Sequence, residues 1–349
     1  FNSVDHLKLR NKLLNEFHFS DEAGELVADF LNHRSQAVRI GSRTSAERPV
    51  PDGTPQGSCL SALLFCLYVN SLPGQLKCNY QLYADDLQIY ISGPIDNIER
   101  LIAAVNEDLI IVERWARINS LFPNPKKTQA IVFSKANTIT TREPIIFCGE
   151  PIAFSDSVTN LGLRMDKNLN WTRHVNDITA KVFGTLRTFR RFAPVLSILT
   201  RKRLVQAVIV PFFTYCDVVF YNGLSAALKE QLNRCFKASV RFIYNIRRRE
   251  STAAVRDTIL GHDLPKDYHN RICCFMRQAY HEVLPDYIFE QLQKTQHERA
   301  RCFVIPRHTT SARKSPLISG ALTWNRLPLA TKQQPTQVLF KKTLSTTAN

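Results

Sequence analysis

Apolar and polar positions alternate along this chain in two rhythms, one helical and one extended. From residue 4 to about 33 the spacing is helical, with Leu26, Val27, Phe30 and Leu31 on one face behind a Ser20-Asp21 start signal. A short strand is expected over 36–40. Residues 48–58, RPVPDGTPQGS, hold three Pro and two Gly and read as a loop that feeds a helix. That helix places Leu60, Leu63, Leu64, Leu67 and Tyr68 along its length. In NYQLYADDLQIYIS (79–92) the rhythm becomes two-residue, with Tyr80 and Leu82 answered by Leu87, Ile89 and Ile91, so a hairpin hinged at Asp85-Asp86 is predicted. A long amphipathic helix follows over 96–119, its stripe running from Ile98 through Leu101, Ile102, Val105, Leu109 and Val112 to Trp115. Strands are expected over 129–133, 144–147 and 151–154, the last two joined by a turn at Cys148-Gly149-Glu150.

Beyond residue 170 the chain turns to helices rich in Arg and Lys, and residues 181–203 hold seven basic side chains and no acidic one. Over the whole sequence 46 Lys and Arg face 30 Asp and Glu, a net charge of +16, so the surface attracts polyanions. Charge alone fits nucleic acid, anionic membranes or acidic proteins. The hydrophobic share of 44% is that of an ordinary folded protein, and 349 residues suffice for two or three structural units. No apolar run approaches the ~20 residues of a spanning helix, so no membrane partner is expected. The nine cysteines form no CxxC pair or zinc-like spacing, which suits reduced thiols in an intracellular protein. The first residues, FNSVDHLKLRNKLL, lack a starting Met and a secretory layout, so a truncated chain is expected.

Adjacent acids at a hairpin tip repel unless a cation sits beside them. An isolated Asp-Asp is an ordinary turn dipeptide. Here, however, the flanks are hydrophobic strands, which hold the carboxylates on rigid backbone where a divalent cation is the natural counter-charge.

The order GTPQGSCLSALLF (53–65), QLYADDLQIY (81–90), NPKKT (124–128) and NLG (160–162) resembles motifs B, C, D and E of LINE-type (non-LTR) retrotransposon reverse transcriptases. The resemblance continues through NLNWTRHV (168–175), YCDVVFYNG (215–223) and WNRLP (324–328). It implies an α+β fold: a reverse-transcriptase palm over 1–168, a basic helical thumb-like region over 169–250 and a family-specific segment over 251–349. It implies an RNA-directed DNA polymerase that uses an RNA template, a DNA primer and deoxynucleoside triphosphates. Two Mg²⁺ (or Mn²⁺) ions would be held in part by Asp85 and Asp86. Tyr83 and Ala84 would lie at the primer terminus, and Gly53, Pro55, Gln56 and Gly57 would shape the loop that touches template and nucleotide. Lys127 would approach the triphosphate as a catalytic cation, and Leu161-Gly162 would belong to the primer grip. Lys181, Arg187, Arg190, Arg191, Arg201, Lys202 and Arg203, with Arg247–Arg249, would hold the nucleic-acid backbone.

Two departures stand out. Ala62 occupies a position where the family commonly has Pro, a change that favours the helix start. Phe1-Asn2 resembles the last two positions of motif A, with Phe1 as the gate against ribonucleotides and Asn2 in place of the usual second Asp. The first catalytic Asp of that motif would then lie five positions before Phe1, and the chain as given is expected not to polymerise. A non-catalytic, nucleic-acid-binding remnant of such an element is the alternative. Nuclear residence is implied by the resemblance only, and the oligomeric state is left open.

Overall fold

The computed structural model describes all residues except 135–140, 142, 262, 297–299, 310–311 and 347–349. The chain divides into two compact units, Phe1–Ser155 and Asp156–Asn349. The first opens with α1 (His6–Asn15) and α2 (Asp21–Leu31), and Ser20 caps α2 by accepting from the Ala23 amide at 3.2 Å. An exposed ribbon of two-residue strands follows, β1 (Ser35–Gln36) pairing with β4 (Arg48–Pro49) and β2 (Arg39–Ile40) with β3 (Arg43–Thr44). The single strand expected over 36–40 is therefore split. Helix α3 (Cys59–Val69) leads to the antiparallel hairpin of β5 (Asn79–Tyr83) and β6 (Asp86–Tyr90). Then come α4 (Ile98–Ile118) and a second hairpin, β7 (Ile145–Phe147) with β8 (Glu150–Ile152).

The core of this unit joins Leu9 and Leu13 of α1, Leu64, Phe65 and Tyr68 of α3, Ile102, Val112 and Trp115 of α4, and Ile145, Phe147 and Ile152 of the second hairpin. At its centre the buried Lys12 ammonium donates to Ser71 Oγ at 2.6 Å and lies 5.8 and 5.6 Å from the Tyr68 and Trp115 rings. The strand expected over 129–133 does not form. A strand exists only where a neighbour accepts its ladder, and here a single bridge joins Ala130 to Phe154.

The second unit begins with the hairpin β9 (Ser157–Asn160) and β10 (Leu163–Asp166). Helix α5 (Thr172–Arg190) follows, then α6 (Ile198–Leu204), α7 (Val210–Thr214), α8 (Asp217–Phe220) and α9 (Ala226–Tyr244). Val175, Ile178, Val182 and Leu186 line one stripe of α5 and pack with Leu232, Phe236, Val240 and Ile243 of α9. By length and composition Ile198–Gly223 is apolar enough to cross a membrane, which corrects the expectation that no run comes near that length. It is a broken run: a π-helical turn over Val205–Ile209 joins α6 to α7, Cys216 takes φ 54° before α8, and Asp217 is buried within it. Its Val205, Ile209, Phe213 and Phe220 fill the core of the unit.

A second core gathers α10 (Leu264–Tyr280), α12 (Pro316–Asn325) and α14 (Gln337–Thr346) around the fully buried Trp324; the short α11 (Asp286–Phe289) and α13 (Leu329–Lys332) lie between them in sequence. Arg271 of α10 pairs with the buried Asp217 at 2.5 Å and also with Asp267, which ties this region to α8.

Candidate active site

The predicted hairpin forms, with its turn one residue earlier than expected: Asp85 lies in the turn and Asp86 begins β6. In the β5–β6 register Tyr80 faces Ile89 and Leu82 faces Leu87, while Gln81 faces Gln88 and Tyr83 faces Asp86. Side chains alternate across a strand, so the first set is one face and the second the other. Leu82, Leu87 and Ile89 pack on the core, and Gln81, Tyr83, Asp86 and Gln88 are exposed. Ala84 and Asp85 form the two-residue turn, with Ala84 at φ 52°. A residue with a Cβ is strained there, and such strain concentrates at functional sites. Asp85 and Asp86 are both exposed, and neither carboxylate has a hydrogen-bond or ion-pair partner among the described residues.

What holds the hairpin escaped the sequence reading. Asp108 of α4 is fully buried and accepts from the Lys77 amide at 3.0 and 3.1 Å and from the Cys78 amide at 2.8 Å, which pins the entry to β5. Nothing in the amphipathic pattern of α4 marks this residue, because its partners are backbone groups about thirty positions away.

The Pro/Gly loop is built against the first residues of the chain. The Gly53 amide donates to Val4 O at 2.8 Å, the Thr54 amide to Phe1 O at 3.0 Å, and His6 Nε2 lies 2.7 Å from Gly53 O. Gln56 Nε2 donates to Asn2 Oδ1 at 3.1 Å, and Ser61 Oγ to Pro55 O at 2.6 Å. The Phe1 ring lies 4.5 Å from that of Phe65 on α3. Phe1, Gly53, Pro55 and Gln56 are thus brought together. The glycines differ in kind. Gly53 (φ 87°) lies against Asn2 backbone, whereas Gly57 (φ 85°) has nothing within 4 Å of an added Cβ and leaves backbone open to a ligand.

Lys127 is exposed on the 3₁₀ turn Pro125–Lys127, which Asn124 caps by accepting from the Lys126 amide at 3.0 Å. In the second unit Leu161 (φ 45°) and Gly162 (φ 81°) form the β9–β10 turn, with both residues at positive φ as a two-residue hairpin prefers. Tyr215, the first residue of YCDVVFYNG, donates from its hydroxyl to Leu161 O. Among the basic residues Lys181, Arg187, Arg190, Arg191 and Arg203 are exposed, and Lys202 is half-buried. Arg201 is engaged with backbone instead: Nε donates to Leu196 O at 3.0 Å and Nη1 to Phe242 O and Ile243 O at 3.3 and 3.4 Å, capping the end of α9.

Asp85 and Asp86 are hard oxygen donors of the kind Mg²⁺ and Mn²⁺ take. No cluster of three or more Asp, Glu, His or Cys forms among the described residues.

A mixed α/β unit that presents two carboxylates at a hairpin turn and also carries a Pro/Gly loop defines a class, and comparison with known proteins agrees with it. Residues 1–165 match the reverse transcriptase (RNA-dependent DNA polymerase) family. The probable RNA-directed DNA polymerase from transposon X-element of Drosophila melanogaster is 26% identical over 162 residues, 45% of this chain and 17% of that protein. The RNA-directed DNA polymerase from mobile element jockey of the same species is 24% identical over 221 residues, 60% of this chain and 23% of that one. Its counterpart from Drosophila funebris is 21% identical over 275 residues, 72% of this chain and 29% of the relative. The chain therefore spans less than a third of the length of these curated relatives. Their transposon origin agrees with the LINE-type resemblance.

Proposed function

We propose that this chain carries palm (1–168), thumb-like (169–250) and C-terminal (251–349) regions of an RNA-directed DNA polymerase of a non-LTR retrotransposon, one that copies RNA onto a DNA primer. The observation that carries the reading is the Asp85-Asp86 pair, held without a partner among the described residues at a strained, exposed hairpin tip within the family-matched residues. Two carboxylates side by side with no internal counter-charge are an anionic seat for a cation. Divalent ions bound there would supply activation of the primer 3′-hydroxyl and charge stabilisation of the leaving pyrophosphate. The protein's own part is positional. Tyr83 and Ala84 support the primer end, Gly57 offers open backbone to the template or nucleotide, and Gln56 holds Asn2 beside Phe1, whose ring narrows the site against a 2′-hydroxyl. Lys127 contributes positive charge toward the triphosphate, and Leu161-Gly162, braced by Tyr215, grips the primer. The setting is intracellular, and nuclear if it follows the resemblance.

Two carboxylates supply only part of the anionic cage that holds two ions. The same observation, with Asn2 standing where the family has Asp, favours as the second reading a chain that binds nucleic acid without extending it. Primer extension on an RNA template separates the two. The 349-residue chain is expected to be inactive, and the same chain extended by design with Asp-x-x-Lys-Ala placed before Phe1 to be active. Asp85→Asn in the extended protein should lower the rate about a thousandfold or more, as for groups that act as a unit. Robust extension by the short chain, or full activity of the Asp85→Asn protein, would overturn the assignment of these acids.

A further inference from the structure

Between the end of α5, the start of α6 and the outer face of α9 lies a cavity of about 1100 Å³. Its walls carry Arg190, Arg201, Arg234, Lys237, Arg241 and Arg248, and no acidic side chain lines it. Three of these come from α9, at spacing i, i+3 and i+7, opposite the buried stripe that includes Leu232, Phe236, Val240 and Ile243. Arg190 and Arg248 have no ion-pair partner among the described residues; Arg234 and Lys237 both act on Glu230, which lies outside the lining and which Lys237 reaches at 3.5 Å. Arg241 has a buried Nε without a hydrogen-bond partner, although its Nη2 donates to Glu250 O at 3.3 Å. Converging cations repel one another, so the arrangement is relieved by an anion that brings several charges at once. The space lies at the top of the ~300–1,000 Å³ range of ligand sites, room enough for a segment of polymer.

The floor chooses among polyanions. Pro194, Ala238 and Phe242 are apolar, and Phe183, seven residues before Arg190 and hence on the same face of α5, is 43% exposed. A duplex presents phosphates on a convex surface and keeps its bases stacked inside, so it would meet the basic rim and leave the floor empty. A single strand places phosphates on the walls and bases against Phe183 and the floor. We propose that this groove is a binding site for single-stranded RNA, distinct from any contact with the template–primer duplex. The choice of RNA rests on the proposed function, in which the strand that is unpaired before copying is the RNA.

The test is fluorescence anisotropy of the full chain in EDTA, with a 12-nucleotide single-stranded RNA, the same sequence as DNA, and a matching RNA–DNA hybrid duplex. Arg234→Gln combined with Lys237→Gln should make the log–log salt dependence of RNA binding shallower by about 1.4, from about 0.7 per phosphate. Phe183→Ala should weaken single-stranded RNA roughly 5- to 150-fold and leave the hybrid within twofold. Arg43→Gln, in the exposed ribbon of the other unit, is the control, and thermal melts verify folding of each variant. Equal losses for hybrid and single strand, tighter binding of the DNA strand, or no loss in either variant would overturn the proposal. Because binding is read without metal, its failure stands apart from failure of the polymerase reading, which the Asp85→Asn extension assay tests alone.

Discussion

Gly53 shows how one missing side chain sets the geometry of a loop. Its φ of 87° lies where L residues are strained, and a Cβ built there falls 2.9 Å from Asn2 Cα and 2.9 Å from Asn2 O. The obstacle is backbone, so no rotamer change relieves it. Gly53→Ala should therefore lower stability by about 2 kcal/mol or more, from positive-φ strain plus displacement of the first residues. It should also free Gln56 from Asn2, since both hydrogen-bonded partners depend on that approach. Urea unfolding reads the first effect; faster hydrogen exchange at the Thr54 amide, now bonded to Phe1 O at 3.0 Å, reads the second. Unchanged exchange there would mean that the loop stands without its contact to Asn2. Asn325, within WNRLP, works by satisfaction of polar groups: its side chain accepts from the Phe303 amide at 2.9 Å and donates to Phe303 O at 2.8 Å, in the manner of a neighbouring strand. Three motifs noted in the sequence, around Trp171, Asp217 and Trp324, thus have roles in packing and hydrogen bonding. Trp171 and His174 pack on Phe220, and Asp217 anchors Arg271.

Among the elements, α5 carries a glycine that its own fold does not require. Gly184 lies mid-helix, at a helical φ, and an added Cβ would meet nothing within 4 Å. Gly in a helix interior is less favourable than Ala by roughly 0.5–1 kcal/mol. Gly184→Ala should therefore stabilise the protein by about that amount, read as a rise in the urea midpoint at unchanged slope; a loss of stability would reveal a contact above α5 that the fold conceals. The elements were legible in proportion to the length of their pattern. Helix α4 and the β5–β6 hairpin follow from long runs at one period, and the β7–β8 turn follows from Cys148-Gly149. The stretch over 129–133 has strand composition, yet only Ala130 finds a partner. The candidate site divides in the same way. The acids and the Pro/Gly loop were readable because their chemistry sits in contiguous residues. Arg201 has the composition of a nucleic-acid contact, but its guanidinium caps carbonyls about forty residues away. The basic face of α9 went unnoticed because Arg234, Lys237 and Arg241 are interleaved with buried apolar residues and preceded by Glu230.

At the scale of the whole molecule, titratable histidines are buried unevenly. Burial holds His174, His269 and His281 below the ordinary histidine value of 6.5, and all three belong to Asp156–Asn349. For His174, burial and Lys181 outweigh Asp177; Lys266 acts with burial on His269, and Arg277, Arg301 and Lys294 on His281. A histidine whose folded value is depressed stays neutral in the fold while the unfolded chain takes up its proton. Stability is then full above about 6.5 and falls as the pH drops below it, until the folded histidines protonate too. Each histidine contributes a slope of at most about 1.4 kcal/mol per pH unit inside its window. Asp217 acts in the opposite sense: burial raises its carboxyl despite Arg271, so its share of stability grows as the pH falls through that raised value. The histidine window is isolated by a variant.

The three tryptophans allow the second unit to be followed alone, because Trp171 and Trp324 lie in it and Trp115 does not. In a Trp115→Phe background, fluorescence-detected urea unfolding between pH 7.5 and 5.5 should show the midpoint falling with pH. His174→Gln removes one titrating group while keeping an oxygen that can accept from the Arg164 amide, now 3.3 Å from Nδ1. It should reduce the pH slope by up to one proton's worth and leave stability at pH 7.5 changed by less than the slope predicts across the range. The same slope with and without His174 would place the pH sensitivity at His269 and His281, on and just beyond α10. In that case the Trp171–His174–Phe220 cluster would be pH-silent, and acid would act first on the helices around Trp324.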